Sequence, residues 1–474
     1  MSLRHKDPLI PTDGSDPFVN CKLGRKKYAE VLTAIVNSYS DGFVLAINNA
    51  WGTGKSTFVK MWRQDLINQG YKTLYFNAWE NDFQEEVIIA LLSELKELNP
   101  KKGETFNSLL EKTATFLTKA APAVAKGVAS KAIGSDGVAE VIAAATEFTA
   151  EQVEEQIAGF NKKKAGIADF RKSLEQFVDE VDNDKPVVFI IDELDRCRPS
   201  YAVEVLEQIK HLFAVEGIVF ALSIDKVQLG NAIRGFYGSD LIDADEYLRR
   251  FIDLEYQIPD PDESDFAKYL YRYYGFEDFY NHKARKENLK SEQDSEQFYR
   301  AFTFLFERLR PRLRTQEKIM AQLRVILKSF EFSDYTASYV LFLMTLLKFN
   351  NPELFNKISN YSLTSQELVD EFENYFARTE TGKTDNEHFE VVLIALAHLL
   401  VCYSNNKRYD FKTTLIQKGT DGYPELAISS KLNNNIGGAD LLDMITWIKR
   451  TPPFNHLDVS TLLNRINLID KIKT

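Results

Sequence analysis

The sequence predicts an α/β domain, a three-layer parallel sheet with an inserted helical segment, followed by an α-helical C-terminal region. Three observations predict it. A short apolar run, Phe43-Val44-Leu45-Ala46-Ile47, leads straight into a glycine-bearing loop and a helical pattern. A second run, Lys185-Pro186-Val187-Val188-Phe189-Ile190-Ile191, ends in the carboxylates Asp192 and Glu193. Residues 262–474 then read as mostly helical. Continuous apolar runs of β-formers mark parallel strands buried on both faces, and ligands bind at their carboxyl ends.

The glycine loop is Asn49-Ala50-Trp51-Gly52-Thr53-Gly54-Lys55-Ser56-Thr57. Behind it Phe58, Val59, Met61, Trp62, Leu66 and Ile67 recur at helical spacing, and Gly70 stands where a C′ glycine would. Strand, glycine loop and helix, with Gly-Lys-Ser at the helix start, form the context of a phosphate-binding P-loop. Gly52 and Gly54 let successive N–H groups turn inward toward phosphate oxygens, and the helix N-terminus adds partial positive charge. Lys55 can reach the β- and γ-phosphates, and the Ser56 hydroxyl can coordinate Mg²⁺. The leading glycine of the pattern is replaced by Asn49, a residue type that tolerates positive φ.

Composition limits the alternatives. A chain of 474 residues is long enough for two or more domains. Hydrophobic residues at 44% and charged residues at 27% suit a globular protein. A net charge of −11 argues against nucleic-acid binding through the whole surface. Cys21, Cys197 and Cys402 are isolated and odd in number, which points to a reducing compartment. The opening Met1-Ser2-Leu3-Arg4-His5-Lys6 has no apolar segment of a signal peptide. The longest apolar runs, 339–347 and 391–402, are shorter than the ~20 residues of a spanning helix. They read as buried core helices, and the protein is expected to be cytoplasmic.

The elements follow in order. Residues 1–24 are expected to be an extended N-terminal segment, and 25–262 a nucleotide-binding core. Arg25 to Tyr39 is helical in spacing, after a short Lys22-Leu23-Gly24-Arg25 stretch that reads as plain packing or, by resemblance to related ATPases, as a segment lying over the base. Thr73-Leu74-Tyr75-Phe76-Asn77 is a second strand, followed by Ala78-Trp79-Glu80-Asn81-Asp82 and a helix through Val87, Ile88, Leu91, Leu92 and Leu95. Residues 103–165, rich in Ala, Lys and Glu, are expected to insert two or more exposed helices. Lys119, Lys126 and Lys131 disfavour a spanning role for them.

At the end of the 187–191 strand, Asp192 can hold Mg²⁺ directly or through water. Glu193 is placed to polarise an attacking water as general base. After a helix through Val203, Leu206, Ile209, Leu212 and Phe213, Gly217 to Ser223 is another buried strand. Ser223 and Asp225 at its end are candidates for sensing the γ-phosphate or for forming a turn. Leu254-Glu255-Tyr256-Gln257-Ile258 alternates and stops at Pro259. Residues 263–474 form the helical region. Within it 281–297 reads as an exposed charged insertion, and Arg308, Arg310, Arg312 and Arg314 as a solvated face or a source of a sensor arginine. Asn433-Asn434-Asn435-Ile436-Gly437-Gly438 is a turn.

With these residues placed, the sequence resembles the KAP family of P-loop NTPases. The motifs are Trp51-Gly52-Thr53-Gly54-Lys55-Ser56, Phe76-Asn77-Ala78-Trp79-Glu80, Ile191-Asp192-Glu193-Leu194-Asp195-Arg196-Cys197 and Tyr247-Leu248-Arg249-Arg250-Phe251-Ile252, in the family's order over about residues 20–340. The second and third strings are the specific ones. The resemblance implies an ATPase whose sheet gains a strand, here Ile218 to Ser223, between the P-loop strand and the carboxylate strand. It implies ATP rather than GTP, and no guanine-reading N-K-x-D string is present. It also implies that a polar residue ending the second strand restrains the glutamate, and Asn77 occupies that place. Many members carry transmembrane helices where this chain has only 103–165. The family includes bacterial phage-exclusion proteins and animal membrane signalling scaffolds, so the resemblance extends to defence or signalling, although no residue here carries that role.

The expectation is therefore a Mg²⁺-dependent ATPase acting as a conformational switch or motor module. Arg249 or Arg250 can neutralise transition-state charge, in the same chain or in a neighbour's, which would require a homo-oligomer; the competing reading is an ion pair at a helix end. The helical C-terminal region or the 103–165 insertion would contact a protein partner. The alternative function is a nucleotide-gated interaction scaffold with little hydrolysis. A small-molecule kinase fits less well, since an arginine-bearing lid is missing and Glu193 would be superfluous.

Overall fold

The computed structural model describes residues 6–39, 42–84, 86–98, 104–117, 150–181, 184–260, 263–289, 292–377, 386–406, 414–434, 441–451 and 456–468. They fall into two compact units, one of residues 8–259 and one of residues 1–7 with 260–474.

The first unit holds a parallel five-stranded sheet. In chain order its elements are α1 (Lys26–Ser38), β1 (Val44–Asn48), α2 (Lys55–Asn68), β2 (Thr73–Asn77), α3 (Val87–Leu95), α4 (Glu104–Leu117), α5 (Ala150–Val181), β3 (Val187–Asp192), α6 (Pro199–Gln208), β4 (Ile218–Ile224), α7 (Lys226–Tyr237), α8 (Ala244–Leu248) and β5 (Leu254–Gln257). The strand order is β2-β3-β4-β1-β5. The β4 strand lies between the P-loop strand and the carboxylate strand, as the resemblance implies.

Period-two alternation splits the strands between two cores. Val44, Ala46, Leu74, Phe76, Val187, Phe189, Ile191, Phe220 and Leu222 face one side, where α3 and α6 pack. Leu45, Ile47, Val188, Ile190, Val219 and Ala221 face the other, against α1 and α2. The layers are thus helix, sheet, helix. Every residue of β3 and β4 is buried, which is why these segments read as unbroken apolar runs. Gly42, at φ 74°, enters β1 where a Cβ would lie 2.1 Å from the Val215 carbonyl oxygen, so only glycine fits.

The inserted segment differs from its expectation. The described part of α4 buries Phe106 and Leu109, and the described part of α5 buries Phe170, Leu174, Phe177 and Val178 in the sheet core. The rings of Phe106 and Phe177 meet at a tilt, with centroids 5.5 Å apart. The α5 helix also runs past 165 to Val181, so its last turns belong to the core and not to an exposed hairpin. Periodicity hid this because polar residues dominate its sequence. Lys119, Lys126 and Lys131 lie outside the described residues.

The second unit is helical. Helices Ser338–Asn350 and Asn386–Ser404 contain the two long apolar runs, which are buried apart from the half-buried Ile394. No helix among the described residues is long and apolar enough to cross a membrane. Strands Ile416–Lys418 and Pro424–Leu426 form a small antiparallel hairpin that periodicity missed. The 281–297 stretch is not simply exposed. Arg285 is buried, donates to the Asp334 carbonyl at 2.8 Å and lies over the Phe279 ring. Arg308 donates to the Phe376 carbonyl at 3.4 Å, and Arg312 stands at the N-cap of helix Leu313–Leu327. Of the asparagine-glycine turn, 435–438 lie outside the described residues.

Candidate functional site

The strand register brings the chemistry together. Asn77, Asp192 and Ser223 are Cα partners across β2, β3 and β4, and Ile47 pairs with Ser223 one residue before the end of β1. Four carboxyl ends therefore meet beside the P-loop, in the crevice where open α/β sheets bind ligands.

Gly52 and Gly54 carry φ of 80° and 81°. Gly54 is the N-cap of α2, and Lys55 and Ser56 open the helix. At the far end Gly70, at φ 87°, closes a Schellman motif: its N–H bonds the Ile67 carbonyl and that of Tyr71 bonds Leu66, both at 2.9 Å. Asn49 does not use its tolerance for positive φ. Its buried amide instead donates to the Ile258 carbonyl at 2.9 Å, while its side-chain oxygen accepts the Ala50 N–H at 2.8 Å. The departure from glycine thus anchors the loop to the chain after β5. Thr53 Oγ1 donates to the Ala50 carbonyl at 2.8 Å.

Lys55 is buried, and its ammonium donates to the carbonyls of Asn49 and Ala50, the latter at 3.2 Å. Burial pushes its pKa down, against the pull of Asp195, Asp225 and Asp192. A buried ammonium whose present partners are neutral loop carbonyls can exchange them for a charged phosphate oxygen, a stronger acceptor.

Asp192 is buried at the end of β3. It accepts the Tyr75 hydroxyl at 2.8 Å and the Glu193 N–H at 3.0 Å. Ser223 Oγ is fully buried and has no hydrogen-bond partner among the described residues. Asp225 accepts the Trp51 N–H at 3.1 Å and caps α7 through the Gln228 N–H at 3.2 Å. The buried carboxylate of Asp192 is a hard oxygen donor of the kind that suits Mg²⁺.

Glu193 follows β3 in a left-handed conformation, φ 62° and ψ 25°, strained for a side chain of this type. Its carboxylate pairs with Arg196 at 2.9 Å. Burial raises its pKa, and Arg196 opposes that rise. Asn77 Oδ1 accepts the N–H groups of Trp79 at 3.1 Å and Glu80 at 3.3 Å, a turn-capping role. Arg249 closes α8 and pairs with Glu246 at 3.0 Å while 71% exposed. The backbone carbonyl of Arg250 accepts from Lys210.

Three contributors, Asp195, Arg196 and Tyr75, were given no role by the sequence. Asp195, buried, accepts the indole N–H of Trp51. Arg196 holds Glu193. Tyr75 shares a strand face with Asn77, a period-two signal that could have found it. Arg25, 1% exposed, donates to the Gly54 carbonyl at 3.1 Å, and Leu23 also lies beside Gly54. The 22–25 segment, read from the sequence as base-covering or as plain packing, thus touches the P-loop through Leu23 and Arg25.

A parallel sheet with a strand inserted between the P-loop strand and the carboxylate strand, and with the glycine loop and Asp192 at the carboxyl ends of those strands, is the architecture of a P-loop NTPase. The chain belongs to the KAP family: the model of the KAP family P-loop domain matches residues 25–348, more than half of the chain. No curated protein matches it in sequence. Among solved structures, the ORC2 protein of Aeropyrum pernix, determined as ADPNP and ADP complexes, aligns at 13% identity and a TM-score of 0.32, covering 90% of this chain and 95% of its own.

Proposed function

We propose that the protein binds ATP with Mg²⁺ and hydrolyses it, so that nucleotide state switches the conformation of the chain. The observation that carries this reading is the adjacency of buried Asp192 and the carboxylate of Glu193 at the end of β3, in register with Asn77 and Ser223. Loop amides from Asn49 to Thr57 and the Lys55 ammonium would bind the phosphates. Ser56 and Asp192 would hold Mg²⁺, which when bound supplies charge neutralisation between the β- and γ-phosphates. Glu193 would accept the proton of a water whose oxygen bonds the γ-phosphorus as the bond to the β–γ bridging oxygen breaks and ADP leaves. Ser223 Oγ, buried and without a hydrogen-bond partner among the described residues, is suited to orient that water or a γ-phosphate oxygen. Arg249 or Arg250 would supply transition-state charge from a neighbouring copy; the exposure of Arg249 supports action in trans.

The test is phosphate release from Mg-ATP, wild type against Glu193→Gln, over a series of protein concentrations. Turnover that disappears in Glu193→Gln while nucleotide still binds is the expected result. A rate per chain that rises with concentration would support the trans arginine. The second reading, a nucleotide-gated scaffold presenting its helical region or the 103–165 insertion to a partner, is favoured by one observation: Glu193 is engaged by Arg196. ATP bound tightly with no turnover at any concentration would select it.

A further inference from the structure

We propose that Arg196 is a latch on Glu193: it holds the carboxylate in an ion pair, braced by Trp79, and hydrolysis requires that pair to open. The inference rests on the reading of Glu193 as general base. It places the restraint on Arg196, not on the polar residue that ends β2.

Four observations meet at this point. The guanidinium of Arg196 lies 2.9 Å from Glu193 Oε1, and the two side chains are only 27% and 15% exposed, so water screens the pair weakly. The same guanidinium sits 5.7 Å from the centroid of the Trp79 ring, a cation–π contact that adds to its hold. The loop bearing Trp79 is clamped to the chain just after Arg196, where Asp82 accepts both the Arg198 N–H and its Nε at 2.9 Å. Asn77, the residue that strand position would nominate, has its side-chain oxygen committed to the N–H groups of Trp79 and Glu80. Asn77 thus shapes the turn that presents Trp79, and Trp79 backs the arginine that grips Glu193.

The latch also has a route to the nucleotide. Glu193 is held at φ 62°, and the one-turn helix Leu194–Arg196 follows it. In that turn Asp195 accepts the Trp51 indole N–H of the P-loop, and its neighbour Arg196 grips Glu193. A phosphate entering the loop and drawing Lys55 away from the Asn49 and Ala50 carbonyls would act on Trp51, hence on the turn that carries the latch. A carboxylate paired with a guanidinium is a poor acceptor for a water proton, so opening the pair precedes the chemistry.

Full-length wild type, Arg196→Ala, Arg196→Lys, Trp79→Leu and Arg196→Ala with Glu193→Gln would be compared for steady-state phosphate release from Mg-ATP and for binding of a fluorescent ATP analogue. The expected result is a kcat raised about fivefold or more in Arg196→Ala, with KM within about twofold, as loss of one ion pair implies. Arg196→Lys should fall back toward wild type, Trp79→Leu should rise less than Arg196→Ala, and the double variant should be inactive. A gain in kcat cannot come from damage to the fold. An Arg196→Ala rate equal to or below that of an active wild type overturns the latch alone. No turnover in either protein, with the analogue still bound, overturns both the latch and the hydrolysis reading. If Arg196→Ala does not fold, Trp79→Leu carries the test, and an unchanged or lowered kcat there overturns the latch.

Discussion

The indole N–H of Trp51 is donated to the buried carboxylate of Asp195, joining the phosphate-binding loop to the turn that follows the carboxylate strand. Burial raises the Asp195 pKa, while this hydrogen bond and the nearby Lys55 lower it. Trp51→Phe keeps most of the ring and removes the donor, leaving a buried carboxylate with one partner fewer. The expected cost is about 1–3 kcal/mol in denaturant unfolding. A double-mutant cycle with Asp195→Ala should return a coupling of about 0.5–3 kcal/mol, and additivity would deny the link.

Lys55→Ala removes the only ammonium donating into the P-loop among the described residues. Loss of a charge-assisted contact of about 1.5–3 kcal/mol corresponds to an affinity for Mg-ATP lowered roughly tenfold to hundredfold. Titration with a fluorescent ATP analogue measures it. An affinity within twofold of wild type would remove Lys55 from the binding machinery.

Glu193→Gln keeps the volume of the side chain and removes the base. Turnover should fall by about 10²–10⁴, while nucleotide affinity stays within a fewfold. Equal losses in affinity and in turnover would make Glu193 a binding residue instead.

Asn77→Ala separates two roles in one variant. With its oxygen capping the Trp79 and Glu80 N–H groups, the expected effect is a stability loss of about 1 kcal/mol with little change in turnover. A rise in turnover at intact stability that adds to the rise of Arg196→Ala in the double variant would give Asn77 its own hold on Glu193, independent of Arg196.

Glu317 in the helical unit gives a pH dependence. Burial pushes its pKa up to about 7, with Arg314 opposing and Asp7 adding to the rise. A carboxyl whose folded pKa is raised is held neutral by the fold. Its contribution to stability is full below the unfolded value near 4.5 and is lost as pH rises through about 7. Glu317→Gln should therefore flatten the change in stability between pH 5 and 8 and be more stable than wild type at pH 8. Parallel urea midpoints across that range would argue against it.

The parallel sheet was legible residue by residue, since buried strands require apolar β-formers and glycine loops announce themselves by spacing. Strand edges fell within a residue or two: Val187–Asp192 against 187–191, and Thr73–Asn77 without change. The α4 helix, within the segment expected to be exposed, buries Phe106 and Leu109, two apolar positions three apart that polar neighbours dilute. Arg285 was misread for a related reason: a charged side chain in a charged segment gives no sign that it is buried against aromatic rings.

The sequence by itself determined the phosphate loop, the paired carboxylates of Asp192 and Glu193, and the family to which the chain belongs, because each lies in a continuous string whose local geometry follows from glycine, strand and helix preferences. The tertiary structure decided which groups face one another across 144 residues, as Asp195 and Trp51 do, and which restraint Glu193 meets. Such pairings depend on the strand order and on which way a turn at φ 62° points its side chains. A carboxylate's partner is fixed by proximity in space and by burial from water, and neither quantity is carried by spacing along the chain.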